Sequence, residues 1–172
     1  MPSLVGSEMC IETDLFLIDG RRVEVLDFID DHSRYLLSIT ARPAFTGPAV
    51  AAELQRLIDT YGPPASTLTD NGLVFTARLA GRKGGRNAFE KVLTDNCIQQ
   101  KNGRPGHPQT QGKIERFHQT LKRWINAQPP AETIPHLQRQ LNEFAAYYNT
   151  ERPQDHLGCL LYTSDAADER SS

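Results

Sequence analysis

The sequence has 172 residues, of which 38% are hydrophobic and 23% charged, with a formal net charge of −2. This composition is typical of one soluble globular domain that can bury a core. No apolar run approaches the roughly 18–20 residues that a membrane span needs. The three cysteines, Cys10, Cys97 and Cys159, are far apart in the sequence. Their spacing fits neither a disulfide framework nor a CxxC metal site, and it favours a reducing cytoplasm.

The small net charge conceals an uneven distribution along the chain. Residues 1–31 contain eight acidic residues and two arginines, whereas residues 78–123 contain eleven basic and three acidic residues, a local net charge of +8. Two interpretations are open. The charges form ordinary solvated faces, or the basic segment binds a polyanion beside an acidic region that holds metal ions.

The first forty residues predict three antiparallel strands connected by short turns. The strands are expected at residues 13–18, 23–29 and 35–40, separated first by the Asp19-Gly20 hairpin signal. The second connection contains Asp30, Asp31 and His32. These three residues could be read as a metal site, but we expect them to form and cap the turn.

The remainder predicts alternating helices and strands. Helices are expected over residues 47–61, 87–93 and 133–149, and short strands over residues 66–69 and 97–101. Because a strand, a crossover helix and a strand form a parallel connection, the sheet should be mixed. Asp70 directly follows the fourth strand. Ligands bind at such carboxyl ends in open α/β sheets.

The segment from Gly106 to Arg123 predicts a turn followed by an amphipathic helix. Pro105, Gly106 and Pro108 favour the turn in the first half. Apolar residues then recur with helical spacing at Ile114, Phe117, Leu121, Trp124 and Ile125. A different helix face gathers Gln111, Glu115, Gln119 and Lys122.

Three strings carry a resemblance to a known family. LTDNG, NGRPGHPQTQGKIERFHQTLKR and YYNTERP resemble the catalytic core of DDE transposases and retroviral-type integrases, specifically bacterial insertion-sequence transposases. The resemblance covers roughly residues 12–157. It implies an α/β fold of the ribonuclease H-like type, with a mixed five-stranded sheet (three antiparallel strands, then two parallel) flanked by helices. It also implies metal-dependent strand transfer at transposon ends in a bacterial cytoplasm.

The resemblance assigns roles to individual residues. Asp70 and Glu115 correspond to catalytic carboxylates that bind two Mg²⁺ or Mn²⁺ ions, and Lys122 corresponds to a basic residue that contacts DNA near the cut. The further DNA-binding candidates are Lys113, Arg116, Arg123, Gln119, Arg82 and Lys83. The implied partners are DNA, both transposon ends and target, and further copies of the chain in a homo-multimer, with no membrane.

The first of the family's three carboxylates has no obvious counterpart. Alignment on Thr13 and the Asp19-Gly20 hairpin places Ile11 at that position. Asp14 is a weaker candidate ligand, because its use requires a shifted strand register. We therefore expect a fragment that folds but is impaired in transposition. The alternatives are a catalytically inactive nucleic-acid-binding remnant and a ribonuclease H-like hydrolase.

Both ends of the chain resemble translated sequencing-adapter DNA rather than any protein family. SLVGSEMCI lies near the N-terminus and CLLYTSDAADE near the C-terminus. We therefore expect residues 1–11 to lie outside the fold and residues 159–172 to form a disordered tail. Between them, residues 12–128 should form the catalytic core and residues 129–158 a helical extension, with the natural N- and C-terminal domains missing.

Overall fold

A computed structural model describes the backbone of residues 7–69, 88–102 and 108–151, and the side chains of residues 13–69, 88–101 and 112–151. Within these ranges the elements are, in chain order, β1 (Ser7–Phe16), β2 (Arg22–Asp30), β3 (Leu36–Arg42), α1 (Gly47–Tyr61), β4 (Ser66–Thr69), α2 (Ala88–Asp95), β5 (Gln99–Asn102), α3 (Pro108–Asn126) and α4 (Ile134–Thr150). None of the described helices is long and apolar enough to cross a membrane.

The strands form one mixed sheet in the order β3-β2-β1-β4-β5. β1 pairs antiparallel with β2, and β2 with β3, whereas β1 pairs parallel with β4, and β4 with β5. The hairpin between β1 and β2 turns at Gly20, whose φ of 83° lies in the region that favours glycine. Asp19 Oδ1 accepts a 3.0 Å hydrogen bond from the Arg21 N–H in the same turn. The predicted sheet is confirmed.

β1 begins earlier than the sequence pattern predicts. It starts at Ser7, where the expected fold began at residue 12. Glu8 pairs with Asp30 of β2 and also with Thr67 of β4, so this part of β1 has a hydrogen-bonded neighbour on each side. Strand pairing uses backbone groups, which every non-proline residue supplies. An irregular side-chain pattern therefore does not prevent residues 7–11 from joining the sheet.

Apolar residues cover both faces of the sheet, and β2 contributes to both. Val25 and Ile29 of β2 pack on one face with Phe117 of α3 and Phe144 of α4. On the other face Phe28 packs with residues of α1 and α2. Alternating side chains of a central strand point to opposite faces, so β2 is buried on both. The helices thus form one layer on each side of the sheet.

The start of α3 corrects one detail of the sequence prediction. Pro108 was expected to exclude a helix, but α3 begins at this residue. A proline is compatible with the first helical turn, where its missing N–H has no intrahelical partner. α4 begins as predicted, with the Thr133 hydroxyl accepting a 3.2 Å hydrogen bond from the His136 N–H.

Two amide side chains of α4 pair with the backbone of the edge strand β3. Asn149 Oδ1 accepts from the Leu36 N–H at 2.8 Å, and Asn149 Nδ2 donates to the Leu36 carbonyl at 2.9 Å. Gln138 Oε1 accepts from the Ala41 N–H at 2.8 Å, and Gln138 Nε2 donates to the Ile39 carbonyl at 3.0 Å. These contacts satisfy backbone groups that an edge strand otherwise leaves open to another chain.

Candidate functional site

The orientation of α3 is set by aromatic packing on α4. Phe117 is 3% exposed, and its ring meets those of Phe144 and Tyr148 edge-on, with centroids 5.9 Å and 5.3 Å away. Leu121, one turn further along α3, is fully buried. Because these residues lie on one side of the helix, the opposite side of α3 faces solvent.

The solvent-facing side of α3 carries the predicted functional residues. Glu115, Gln119 and Lys122 are all exposed. A separation of seven residues places Glu115 and Lys122 on nearly the same line of the helix, about 10 Å apart along its axis. Three further predicted DNA contacts are exposed on α3, namely Lys113, Arg116 and Arg123. The helix therefore presents one carboxylate among basic residues, as the sequence predicts.

The N-terminal part of α3 is tied to the turn between β2 and β3. Lys113 Nζ lies 3.3 Å from Asp31 Oδ1, and Arg34 donates to the same oxygen at 3.3 Å. Asp30 caps the turn, accepting a 2.9 Å hydrogen bond from the Ser33 N–H. The prediction of a capped turn is confirmed for Asp30. The ion pair between Asp31 and Lys113 has no sequence signal, because 82 positions separate the two residues.

Several predicted site residues lie outside the described residues. Asp70 follows Thr69, the last residue of β4, by one position, and neither it nor Arg82 and Lys83 is described. Their assignment therefore stays a prediction. Thr69 itself pairs with Cys10 of β1, which places the end of β4 beside the middle of β1.

The two candidate positions for the first carboxylate differ in their places on β1. Ile11 is the residue after Cys10, and its Cα pairs with that of Asp27. Asp14 is four residues beyond Cys10, about 13 Å along the strand. Thr13 and Leu15 are buried, whereas Asp14 is exposed and accepts a 2.9 Å hydrogen bond from Arg22 Nε. By strand alternation, Asp14 lies on the sheet face opposite to α3.

A carboxyl group that the sequence reasoning did not single out lies near these positions. Asp27 of β2 is completely buried. It lies between Val25 and Ile29 on the sheet face that α3 and α4 cover. The available signal was an acidic residue inside an otherwise apolar run, VLDFI. The signal is weak, because Asp27 is close in sequence to the acidic turn at Asp30 and Asp31 and can be taken for part of it.

The described residues supply only part of a metal site. No three His, Cys, Asp or Glu side chains among them lie close enough together to hold a metal ion. Glu115 offers an exposed carboxylate, and carboxylate oxygen is the ligand that Mg²⁺ prefers. The donor chemistry therefore fits Mg²⁺ or Mn²⁺, while the second predicted ligand, Asp70, lies outside the described residues.

Comparison with known families identifies the chain. A family model described as "Integrase core domain" matches residues 7–108, more than half of the sequence, and a second model of the same description matches residues 96–160. The chain belongs to the integrase core domain family. This result confirms the family resemblance seen in the sequence motifs.

Curated relatives come from mobile elements and viruses. The putative integrase ORF3 of Spiroplasma virus SpV1-C74 is 29% identical over 144 residues, covering 80% of this integrase-family chain and 40% of that protein. The uncharacterized 31.7 kDa protein of insertion element IS407 from Burkholderia multivorans is 27% identical over 156 residues, covering 91% and 53%, respectively. The chain thus spans about half of these relatives' length.

Solved structures show the same fold. The catalytic core domain of BIV integrase superposes with a TM-score of 0.64 at 22% identity, covering 95% of this chain and 99% of that one. The dimeric form of the HTLV-2 integrase catalytic core domain in complex with magnesium gives a TM-score of 0.63 at 17% identity, covering 89% and 92%. The ribonuclease H-like architecture expected from the sequence is therefore confirmed.

Proposed function

We propose that this chain is the catalytic core of a DNA transposase that joins the ends of a mobile element to target DNA by metal-dependent strand transfer. The observation that carries the proposal is the exposed face of α3, where Glu115 lies among basic residues in a chain of the integrase core family. The insertion-element relatives and the magnesium complex of the HTLV-2 core support it.

Strand transfer is difficult because the attacking oxygen and the scissile phosphate both carry negative charge. Bound Mg²⁺ ions would lower this barrier by activating the attacking oxygen and stabilising the leaving one. In our proposal Glu115 and Asp70 hold these ions from two different elements of the fold. Glu115 suits this task because its helix is fixed by the packing of Phe117 on α4, so the backbone that carries Glu115 is held in place.

The basic residues of α3 have a separate role in binding the DNA backbone. Lys122 and Arg123 are exposed beyond Glu115, where each neutralised phosphate would release counterions and add salt-sensitive affinity. Gln119, between Glu115 and Lys122, can donate to phosphate or base edges. We place Arg82 and Lys83, from the segment before α2, on the same DNA surface by sequence alone. Synapsis of two ends by a homo-multimer is part of the proposal.

We further propose that the chain has reduced strand-transfer activity. The proposal follows from Ile11 at the position of the family's first carboxylate, and from Asp14 being paired with Arg22 on the other face of the sheet. A cluster that lacks one carboxylate binds Mg²⁺ less tightly and positions it less well. Replacing Ile11 by aspartate should therefore increase activity.

The test is strand transfer on terminal-repeat DNA in the presence of Mg²⁺ or Mn²⁺. We expect weak joining by the parent chain, stronger joining by Ile11→Asp, and none when Glu115→Gln is added to that variant. Equal activity with and without Glu115→Gln would contradict the proposal. Cleavage of RNA–DNA hybrids without joining of DNA ends would instead indicate a ribonuclease H-like hydrolase, and DNA binding without either reaction an inactive remnant.

A further inference from the structure

The N-terminal part of α3 lies at the margin of the apolar core. Among the α3 residues whose side chains the structure describes, Ile114 is the first that packs against the core cluster, and Phe117 is the first that is buried. A Cβ added at Gly112 would meet no neighbouring atom of the described structure within 4 Å. Glycine also favours the helical conformation less than alanine does. Apolar packing therefore does little to hold this end of the helix.

The side chain of Lys113 attaches this end of α3 to the sheet. Its Nζ lies 3.3 Å from Oδ1 of Asp31, in the turn between β2 and β3. Lys113 precedes the buried Phe117 by four residues, so the two side chains lie on the same side of the helix. The ion pair thus holds α3 one helical turn before its buried part begins.

Asp31 is itself held in place by its own turn. Arg34 Nη1 lies 3.3 Å from Asp31 Oδ1, and the Arg34 side chain is only 17% exposed. The Arg34 N–H donates a 2.8 Å hydrogen bond to the Asp30 carbonyl, and the φ of Arg34 is 62°, which is uncommon for a residue other than glycine. Because Asp31 is already ordered, its pairing with Lys113 loses less side-chain entropy than an isolated surface pair does.

Glu115 lies between the two residues that attach this turn of α3, Lys113 and Phe117. It is two residues, about 3 Å along the helix axis, from Lys113. Helix ends open locally unless they are attached to the fold, and opening at Lys113 would move the backbone of Glu115.

We propose that Asp31 is a positioning residue for Glu115, because it holds Lys113 and so orders the helical turn that carries the carboxylate. Lys113 then serves the order of α3 rather than contact with DNA. The inference rests on the proposed function, in which Glu115 binds the metal ion, and adds a residue that acts on Glu115 through the helix.

Hydrogen exchange of the metal-free full chain, followed by mass spectrometry, and calorimetric titration of Mn²⁺ test the inference together. Asp31→Asn and Lys113→Met should each make amide exchange over residues 113–117 about 3–5-fold faster and weaken Mn²⁺ binding by a similar factor, the upper range for exposed ion pairs. The two variants change the net charge in opposite directions. Direct electrostatic attraction alone would therefore change their Mn²⁺ affinities in opposite directions.

Three further variants separate the loss of the ion pair from other effects. Lys113→Arg keeps a cation for Asp31, and Glu143→Gln removes an exposed carboxylate from α4; both should stay within about twofold of the parent. Gly112→Ala added to Asp31→Asn should restore slow exchange and Mn²⁺ affinity, because alanine favours the helix and its methyl group has space. Failure to restore the affinity would contradict a role through helix order.

Unchanged exchange in the Asp31→Asn and Lys113→Met variants, or opposite changes in their Mn²⁺ affinities, would overturn the inference. Glu115→Gln reports on the proposed function separately. It should weaken Mn²⁺ binding by more than about tenfold, since even changes behind metal ligands cost about 10–100-fold. That loss, with parental affinity in the Asp31 and Lys113 variants, would refute the inference and leave the proposed function intact. A parent that binds no Mn²⁺, or equal binding by Glu115→Gln, would count against both.

Discussion

Removal of the Asn149 side chain should destabilise the fold by separating α4 from the edge strand. Asn149 makes two hydrogen bonds to the backbone of Leu36, one in each direction. Each such bond contributes a net of about 1 kcal/mol, and a backbone group left buried and unpaired costs more. Leu36 is 3% exposed, so water does not readily replace both contacts. We therefore expect Asn149→Ala to lower the free energy of unfolding by about 2–3 kcal/mol.

Urea unfolding followed by tryptophan fluorescence measures this loss. Trp124 is the only tryptophan, and its ring lies 5.7 Å from that of Phe144, so its emission reports the packing of α3 on α4. With a urea dependence of about 2 kcal/mol per molar, the midpoint should fall by roughly 1 M. Glu143→Ala, an exposed change on the same helix, should alter the free energy of unfolding by about 0.5 kcal/mol or less.

Asn149→Asp separates the hydrogen bonds from simple loss of volume. Aspartate keeps the acceptor for the Leu36 N–H but turns a negative oxygen toward the Leu36 carbonyl, where Asn149 Nδ2 now donates. We expect a destabilisation at least as large as that of alanine at neutral pH, with partial recovery in acid as the carboxyl group becomes protonated. If either variant unfolds at the parent's midpoint, the edge-pairing explanation is wrong.

Two further predictions concern the charged residues. Lys122→Ala should weaken binding to duplex DNA and reduce the slope of log affinity against log salt by about 1. Lys113→Ala should have a smaller effect because Lys113 already contacts Asp31. Fluorescence anisotropy over a salt series measures both effects, and equal effects would contradict the assignment of Lys122 as the stronger DNA contact. The hydrogen bond from the Arg56 guanidinium, with help from the Ser38 hydroxyl, holds the pKa of Glu53 below its ordinary value. A carboxyl group whose pKa is lower in the folded state contributes stability at neutral pH that is lost as pH falls through that pKa. Between about pH 5 and pH 3 the parent should therefore lose about 1 kcal/mol or less of unfolding free energy through this group. Glu53→Gln should lack this part of the loss, and an unchanged pH profile would count against the pairing.

Helices and strands whose ends are marked by nearby proline or turn residues were predicted correctly from the sequence. α1 spans the predicted residues because Pro48 suits a first turn and the chain leaves the helix at Gly62, with φ of 91°. β4 likewise matches its predicted range, residues 66–69. Such boundaries depend on residues within a few positions of each other, so the sequence contains the needed information.

Features that depend on distant residues were beyond the sequence patterns. The string YYNTERP supported the family resemblance, but nothing in it indicates that Asn149 pairs with Leu36, 113 positions earlier. The early start of β1 depends on β2 and β4 lying on its two sides. Similarly, the position of Asp27 across from Ile11 follows from strand register, which requires the hairpin geometry.

For the candidate site, the sequence predicted the solvent-facing side of α3 correctly. The spacing of its apolar residues places Glu115 and Lys122 away from the core, and both are exposed. The sequence did not distinguish Lys113 from the other basic residues of α3, because the partner of Lys113, Asp31, lies in the turn between β2 and β3. Strand register in the sequence already made Asp14 the weaker candidate, whereas its hydrogen bond with Arg22 needed the structure.

The most direct test of the account compares strand transfer by Ile11→Asp with that of the double variant Ile11→Asp, Glu115→Gln. A bound divalent metal ion supplies several kcal/mol of charge stabilisation in the transition state, and each 1.36 kcal/mol corresponds to tenfold in rate, so losing a carboxylate that holds the ion should be costly. We therefore predict that Ile11→Asp joins DNA ends in Mg²⁺ or Mn²⁺ and that the double variant is at least about 100-fold slower. Equal joining by the two proteins would show that Glu115 does not act in the reaction and would contradict the account.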